Sequence, residues 1–241
     1  MATIVIVHGM FDGGWSWRRV RALLETVGHN VYTPTLTGLG GRAHLTHPAI
    51  DLETHIQDIV NLLYYEDLSD VRLIGHSYAG CVITGAADRA RDRLASLIYL
   101  DAHVPEPGES FLQLLDGGNR TGIEEAVRVS GDGWRVPPPV FPGDPGVESQ
   151  TTDDVWSWFR PRLVAQPFKT LTQPLRLTRP PDEPLPRAYI LCAKGLDSAS
   201  LNPRMERIRS NPAWRWHEID ADHLAHVTAT EVLADALLEL V

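Results

Sequence analysis

The hexapeptide Gly75-His76-Ser77-Tyr78-Ala79-Gly80 sets a single hydroxyl among small residues, behind an apolar run and ahead of a small-residue segment. Serines in ordinary turns are common. A serine with minimal side chains two positions to either side fits a sharper object, a strand-to-helix bend that holds a nucleophile out for attack. Such a bend strains the serine backbone, and bulk at those two positions would collide. Ala79 stands where the motif usually has glycine, a departure that a methyl group satisfies.

A serine hydroxyl is nearly inert at neutral pH and needs a base. Of ten histidines, His223 in "IDADHLAHV" falls between the last predicted strand and the last predicted helix, where a loop carries it over Ser77. His226 reads as structural. His8 belongs to the exit loop of the first strand, and His76 sits beside the serine, pointing to the other side of its strand. His44, His47 and His55 surround the second strand–helix connection and read as loop hydrogen-bonding residues. The imidazole in turn needs a carboxylate to hold its tautomer and stabilise its cation. Asp101, ending the strand after the bend, competes with Asp197 in "CAKGLDSAS", the loop after the next strand. Either reads otherwise as an aspartate capping a turn. An attacked carbonyl also requires backbone donors for its oxyanion. These are the N–H of Tyr78, next after the serine, and one from "HGMFDGG", most plausibly Met10.

Those residues need a scaffold, and the apolar pattern supplies one. "TIVIV" is a β-branched run ended by His8-Gly9, the signature of a strand buried on both faces. "WSWRRVRALLETVG" sets Trp17, Val20, Leu24 and Val27 at helical spacing and stops at Gly28. "HNVYTPT" is a second strand. A helix over "IDLETHIQDIVNLLYYEDL" follows, with Leu52, Ile56, Ile59 and Leu63 on one face and Asp51 as its cap. "DVRLIG", "LASLIYLDA", "RAYILCA" and "AWRWHEID" are further strands, with helices after Ser77, around 201–210 and at the C-terminal end. Thr228 and Glu231 have capping-box spacing at the start of that last helix. Alternating strand and helix predicts an α/β fold, a mostly parallel sheet with helices on both faces.

The alternation breaks over about 104–186. That stretch holds fourteen of the eighteen prolines and four of the five phenylalanines, yet "SFLQLL" and "DDVWSWFRPRLV" look like short amphipathic helices. An insertion with aromatics to bury reads as a lid over the site, within a single domain spanning 1–241.

Bulk properties narrow the function. The chain has 241 residues, 43% of them hydrophobic, and a net charge of −9. That charge argues against nucleic acid, whose phosphates need Lys and Arg patches. The densest basic cluster, Arg89, Arg91 and Arg93, is interrupted by Asp88 and Asp92 and reads as a solvated helix end. Cys81 and Cys192 read as buried free thiols, pointing to a reducing compartment. The opening "MATIVIVHG" lacks a basic n-region, and its apolar run is too short for a signal peptide or membrane span. The expectation is a cytoplasmic protein with no membrane partner.

Taken together, "VIVHGMFDGGWSWRRV", "TPTLTGLGGRAHL", "DLETHIQDIVNLL", "GHSYAG", "IYLDAHVPEPGES" and "DADHLAHVTA" resemble the α/β-hydrolase superfamily. The nearest branch is the small bacterial serine esterases similar to plant methyl-ester esterases and hydroxynitrile lyases. The resemblance covers nearly the whole chain, the lid being matched only by position and length. It implies a Ser-His-Asp triad, no cofactor, no metal, and ester hydrolysis through an acyl-enzyme. The plant esterases carry their aspartate at the position of Gly195 here and a small residue at that of Asp101, so the resemblance favours Asp101 over Asp197 as the acid. The lyases require threonine at Gly9 and lysine at Leu224, and both are absent; dehalogenases and epoxide hydrolases need an aspartate at Ser77. The resulting expectation is a carboxylic ester hydrolase acting on small to medium, mostly apolar substrates. The rival readings are a non-hydrolytic receptor and an acyl-transfer or cyclisation enzyme on the same fold. Assembly stays open, a homodimer included.

Overall fold

The structure, a computed structural model, describes residues 1–139, 153–178, 185–196 and 201–241. Its strands are β1 (Thr3–Val7), β2 (Asn30–Tyr32), β3 (Val71–His76), β4 (Leu94–Leu100), β5 (Arg135–Val136), β6 (Gln166–Pro167), β7 (Arg187–Cys192) and β8 (Trp214–Ile219). Six form one sheet in the order β2-β1-β3-β4-β7-β8, every pairing parallel. The helices are α1 (Arg18–Thr26), α2 (Leu52–Tyr65), α3 (Ala79–Arg89), α4 (Phe111–Leu114), α5 (Gly117–Ser130), α6 (Asp153–Phe159), α7 (Lys169–Thr172), α8 (Pro203–Ser210), α9 (Ala225–Thr228) and α10 (Thr230–Leu238).

Strand side chains alternate between two cores, which is why the strands read as continuous apolar runs. Val5, Val7 and Leu73 join Ile56 and Ile59 of α2 and Ile83 of α3. Ile4, Ile6, Ile74 and Ile98 join Leu24 of α1 and Leu233 and Leu237 of α10. Each such fully buried aliphatic side chain contributes roughly 1.5–3 kcal/mol. Asp51 caps α2 as expected, accepting from the Thr54 N–H at 3.0 Å. Two local expectations are corrected. Val27 falls just past the end of α1, as its C-cap, and is 57% exposed. The Thr228/Glu231 capping box does not form: α10 starts at Thr230, and the Thr228 hydroxyl donates instead to Asp222 (2.9 Å) and the Leu224 carbonyl (3.2 Å).

Sheet order makes the site. From β1 the chain crosses to β2 on one side, then returns to place β3 on the other and proceeds outward through β4, β7 and β8. The loops leaving β1 and β3 therefore diverge, opening a crevice at the carboxyl ends of adjacent strands, where α/β proteins bind ligands.

Over 104–186, α4 to α7 and the antiparallel β5–β6 pair lie against this body. Trp158 of α6 meets Trp15 edge-on at 5.1 Å and lies under the Arg18 guanidinium at 4.3 Å. Lys169, opening α7, and Gln173, just after it, both reach the second carboxylate oxygen of Asp51, each at 3.1 Å. Phe111 of α4 packs on Tyr78 at 5.5 Å.

Candidate active site

Ser77 sits between β3 and α3 with φ +55°, a left-handed conformation rare for a side chain with a Cβ. Its N–H continues the sheet ladder to the Leu100 carbonyl (3.2 Å), while its own carbonyl accepts from the N–H groups of Gly80 (3.1 Å) and His103 (3.2 Å). The steric reading of the bend is correct at Gly75, where a Cβ would come within 2.8 Å of the Ala79 carbonyl oxygen. A tighter demand, absent from the sequence reading, falls on Gly80, where a Cβ would lie 1.9 Å from the His103 carbonyl oxygen. Phe11 (φ +65°) and Asp101 (φ +42°) share the left-handed conformation, so the segments that follow β1, β3 and β4 each carry one such residue. Backbone strain of this kind, of order 1–3 kcal/mol per residue, collects at functional sites.

Asp101 and His223 meet: Oδ2 and Nδ1 are 2.6 Å apart. That contact fixes the tautomer, with Nδ1–H donating and Nε2 left as the proton acceptor. The other carboxylate oxygen accepts from the Cys192 N–H at 3.3 Å. Burial pulls the Asp101 carboxyl upward, but the hydrogen bond and charge of His223, aided by His76 and the Cys192 N–H, outweigh it and hold the group below its ordinary value. Asp197 lies outside the described residues.

Ser77 and His223 line the same cavity of about 470 Å³, walled by Met10, Phe11, Trp156, Phe159, Leu163 and Leu224. No hydrogen bond joins the Ser77 hydroxyl to His223 among the described residues; in unliganded sites such contacts often close only around substrate. A larger cavity of about 740 Å³ touches Asp101 and His223 from the far side but not Ser77.

Met10 lies in the loop after β1, and a Cβ on Gly9 before it would come 3.0 Å from His76 Nδ1 and 3.2 Å from the Ser77 Cβ, so the loop approaches the serine closely here. Neither Met10 N–H nor Tyr78 N–H donates to a protein acceptor among the described residues. The Tyr78 side chain is fully buried on the opposite side, its hydroxyl 3.0 Å from His55 Nδ1, so only its backbone serves the cavity.

The remaining histidines differ in part from expectation. His55 is a buried helix residue in α2, bonding Tyr78 and the Thr37 carbonyl (2.9 Å). His76 does not merely point away, since its Nε2 donates to the His223 carbonyl at 2.8 Å and burial keeps its ring neutral. His8 accepts the Leu36 N–H on Nε2 (3.1 Å) and donates from Nδ1 to the Gly9 carbonyl (2.8 Å), bracing the loop before Met10. Among the described residues no cluster of side chains is fit to hold a metal ion, and no helix is long and apolar enough to cross a membrane. The cysteines are free and buried.

A parallel sheet wrapped on both faces, with a strained serine between its third strand and the following helix, defines an α/β hydrolase. The chain belongs to the Alpha/beta hydrolase family, whose model matches residues 4–236. It is 36% identical over 250 residues to the carbendazim hydrolyzing esterase of Nocardioides sp. (strain SG-4G), covering all of both chains. Over 264 residues it is 25% identical to the probable esterase PIR7A of Oryza sativa, covering 98% of this chain and 95% of that one. An extracellular alpha/beta-hydrolase from a Paenibacillus species superposes with a TM-score of 0.84 at 21% identity, over 99% and 98% of the two chains, and shows the shared fold.

Proposed function

We propose that this chain hydrolyses carboxylic esters of small to medium, mostly apolar substrates, with Ser77 as nucleophile, His223 as base and Asp101 as the acid that orients it. The observation that carries the assignment is the 2.6 Å contact from Asp101 to His223 beside the Ser77 cavity. Nε2 of His223 takes the Ser77 proton as the hydroxyl attacks the ester carbonyl, and the N–H groups of Met10 and Tyr78 hold the oxyanion. His223 then protonates the departing alcohol, deprotonates a water, and the acyl-enzyme is released as acid. Segment 104–186 serves as a lid within one domain, its Trp156, Phe159 and Leu163 giving the substrate an apolar berth. The two free thiols and the charge of −9 support a cytoplasmic enzyme without a nucleic-acid partner.

The test is turnover of a panel of p-nitrophenyl and methyl esters, with carbendazim among the substrates because of the relative that hydrolyses it. Ser77→Ala is expected to lose about 10³-fold or more in kcat and all labelling by a fluorophosphonate. Equal rates for wild type and Ser77→Ala would make the chain a non-catalytic binder. Esters of an added alcohol outweighing free acid would make it a transferase.

A further inference from the structure

We infer that Asp12 and His226 form a second, buried carboxylate–imidazole pair that positions the oxyanion loop against the histidine loop, an inference resting on the ester hydrolysis proposed above. Asp12 lies in the loop after β1, just past Met10, and His226 lies in α9, just past His223. Their contact, Asp12 Oδ2 to His226 Nε2 at 3.2 Å, joins segments 214 residues apart. Asp12 is 3% exposed and His226 is 0% exposed.

The carboxylate is a hub for its own loop. Its Oδ1 accepts the Gly13 N–H at 2.7 Å and its Oδ2 the Ser16 hydroxyl at 2.8 Å. Phe11, between Met10 and Asp12, is held at φ +65°, a conformation that persists only when its surroundings impose it. On the other side, the His226 ring stacks on Trp17 at 4.5 Å and meets the His76 ring at 5.0 Å. His76 in turn holds the His223 carbonyl. Displacing the carboxylate therefore disturbs both the Met10 N–H and the support of the base. Asp12 and His226 are positioning residues, acting through these neighbours.

Stability alone does not call for a carboxylate here. Burial raises the Asp12 carboxyl to about 6, against the opposing charge of His8 and the hydrogen bonds of Ser16 and Gly13. Burial also lowers His226 to about 3, so above pH 6 the pair is an aspartate and a neutral imidazole donating from Nε2. The groups facing the pair are His8 from the loop after β1, Ser16 and Trp17 from the turn before α1, His76 from β3, and Asp222 and His223 from the loop after β8. A carboxyl whose folded pKa is raised stabilises the fold below its unfolded value and loses that contribution as pH rises through the folded one. Ionised Asp12 thus burdens the fold above pH 6, and an asparagine of the same shape would relieve it.

The experiment is steady-state hydrolysis of p-nitrophenyl butyrate across the acid and neutral range, with thermal melts, for wild type, Asp12→Asn, His226→Leu, His226→Gln and Ser77→Ala. For Asp12→Asn the expected result is a kcat lower by about 30-fold with KM within about threefold, because a misaimed oxyanion donor weakens only the transition state. Its melting temperature at about pH 8 should equal or exceed that of wild type. The acid limb of log(kcat/KM) should be steeper in wild type, where Asp12 must be ionised, than in Asp12→Asn, which has no carboxyl to titrate there. His226→Leu should fall with Asp12→Asn, and His226→Gln, which keeps an N–H at the Nε2 position, should recover most of the loss. A kcat for Asp12→Asn within about threefold of wild type, or one falling only in step with melting temperature, overturns the inference. Should Asp12→Asn fail to fold, equal rates for the Leu and Gln variants overturn it. Ser77→Ala retaining turnover defeats the underlying hydrolase reading whatever Asp12 does; Ser77→Ala dead with Asp12→Asn active defeats the inference alone.

Discussion

Replacing Asp101 with asparagine tests the proposed triad with little change of shape. The Cys192 N–H donates to one carboxylate oxygen at 3.3 Å, while the other faces His223. In Asp101→Asn the amide oxygen must remain on the Cys192 N–H, which turns the amide NH₂ toward His223 Nδ1. That nitrogen then has to accept, and its proton moves to Nε2, the position that should take the proton of Ser77. The variant also loses the charge facing the imidazolium. At the 2.6 Å separation and an effective dielectric near 20, the Coulomb attraction is about 6 kcal/mol before screening. Because the His223 side chain is 50% exposed, solvent cuts this to about 3 kcal/mol, or about 10²-fold in rate. Tautomer inversion supplies the remainder, bringing the expected loss of kcat to about 10³–10⁴-fold with KM little changed. The assay is chromogenic ester hydrolysis at about pH 8, with circular dichroism to verify folding and Asp197→Asn as the comparison. A loss below tenfold for Asp101→Asn, or a larger loss for Asp197→Asn, would refute the reasoning and move the acid to the later loop.

Two further outcomes follow from the same geometry. Gly80→Ala should not give the usual helix gain of about 0.5–1 kcal/mol. Its Cβ would strike the His103 carbonyl oxygen 1.9 Å away, so the melting temperature should fall by about 5 °C or more and turnover should drop as the Tyr78 N–H moves; wild-type behaviour would show the bend to be slack. Cys81 and Cys192, whose thiols burial pushes far above the ordinary range, should not react with DTNB in the native protein, and both should react in guanidinium; stoichiometric labelling under native conditions would show the core open.

Much of this was legible in the sequence because the signals are local. Strands buried on both faces leave β-branched runs, and the bend around Ser77 carries its steric requirement within six residues. The 14-residue α5 gave no such signal: two glycines open it and only Val127 is buried, so there is no apolar stripe to read. Tertiary demands were equally silent. The need for glycine at position 80 comes from His103, and the partnership of Asp12 with His226 spans 214 residues, so neither leaves a spacing to detect. Thr228 and Glu231 show the converse, a local signal overridden when Asp222 claimed the hydroxyl.

The site also has an order of assembly in time. His76, neighbour of the proposed nucleophile, bonds the backbone of His223 across 147 residues. A ribosome therefore extrudes the serine bend long before it makes the imidazole proposed to activate it. A truncated or half-translated polypeptide would display an inert alcohol, and hydrolysis would begin only when the sheet's outermost strand docks. Turnover would thus report that β8 and the loop carrying His223 have been made and have docked.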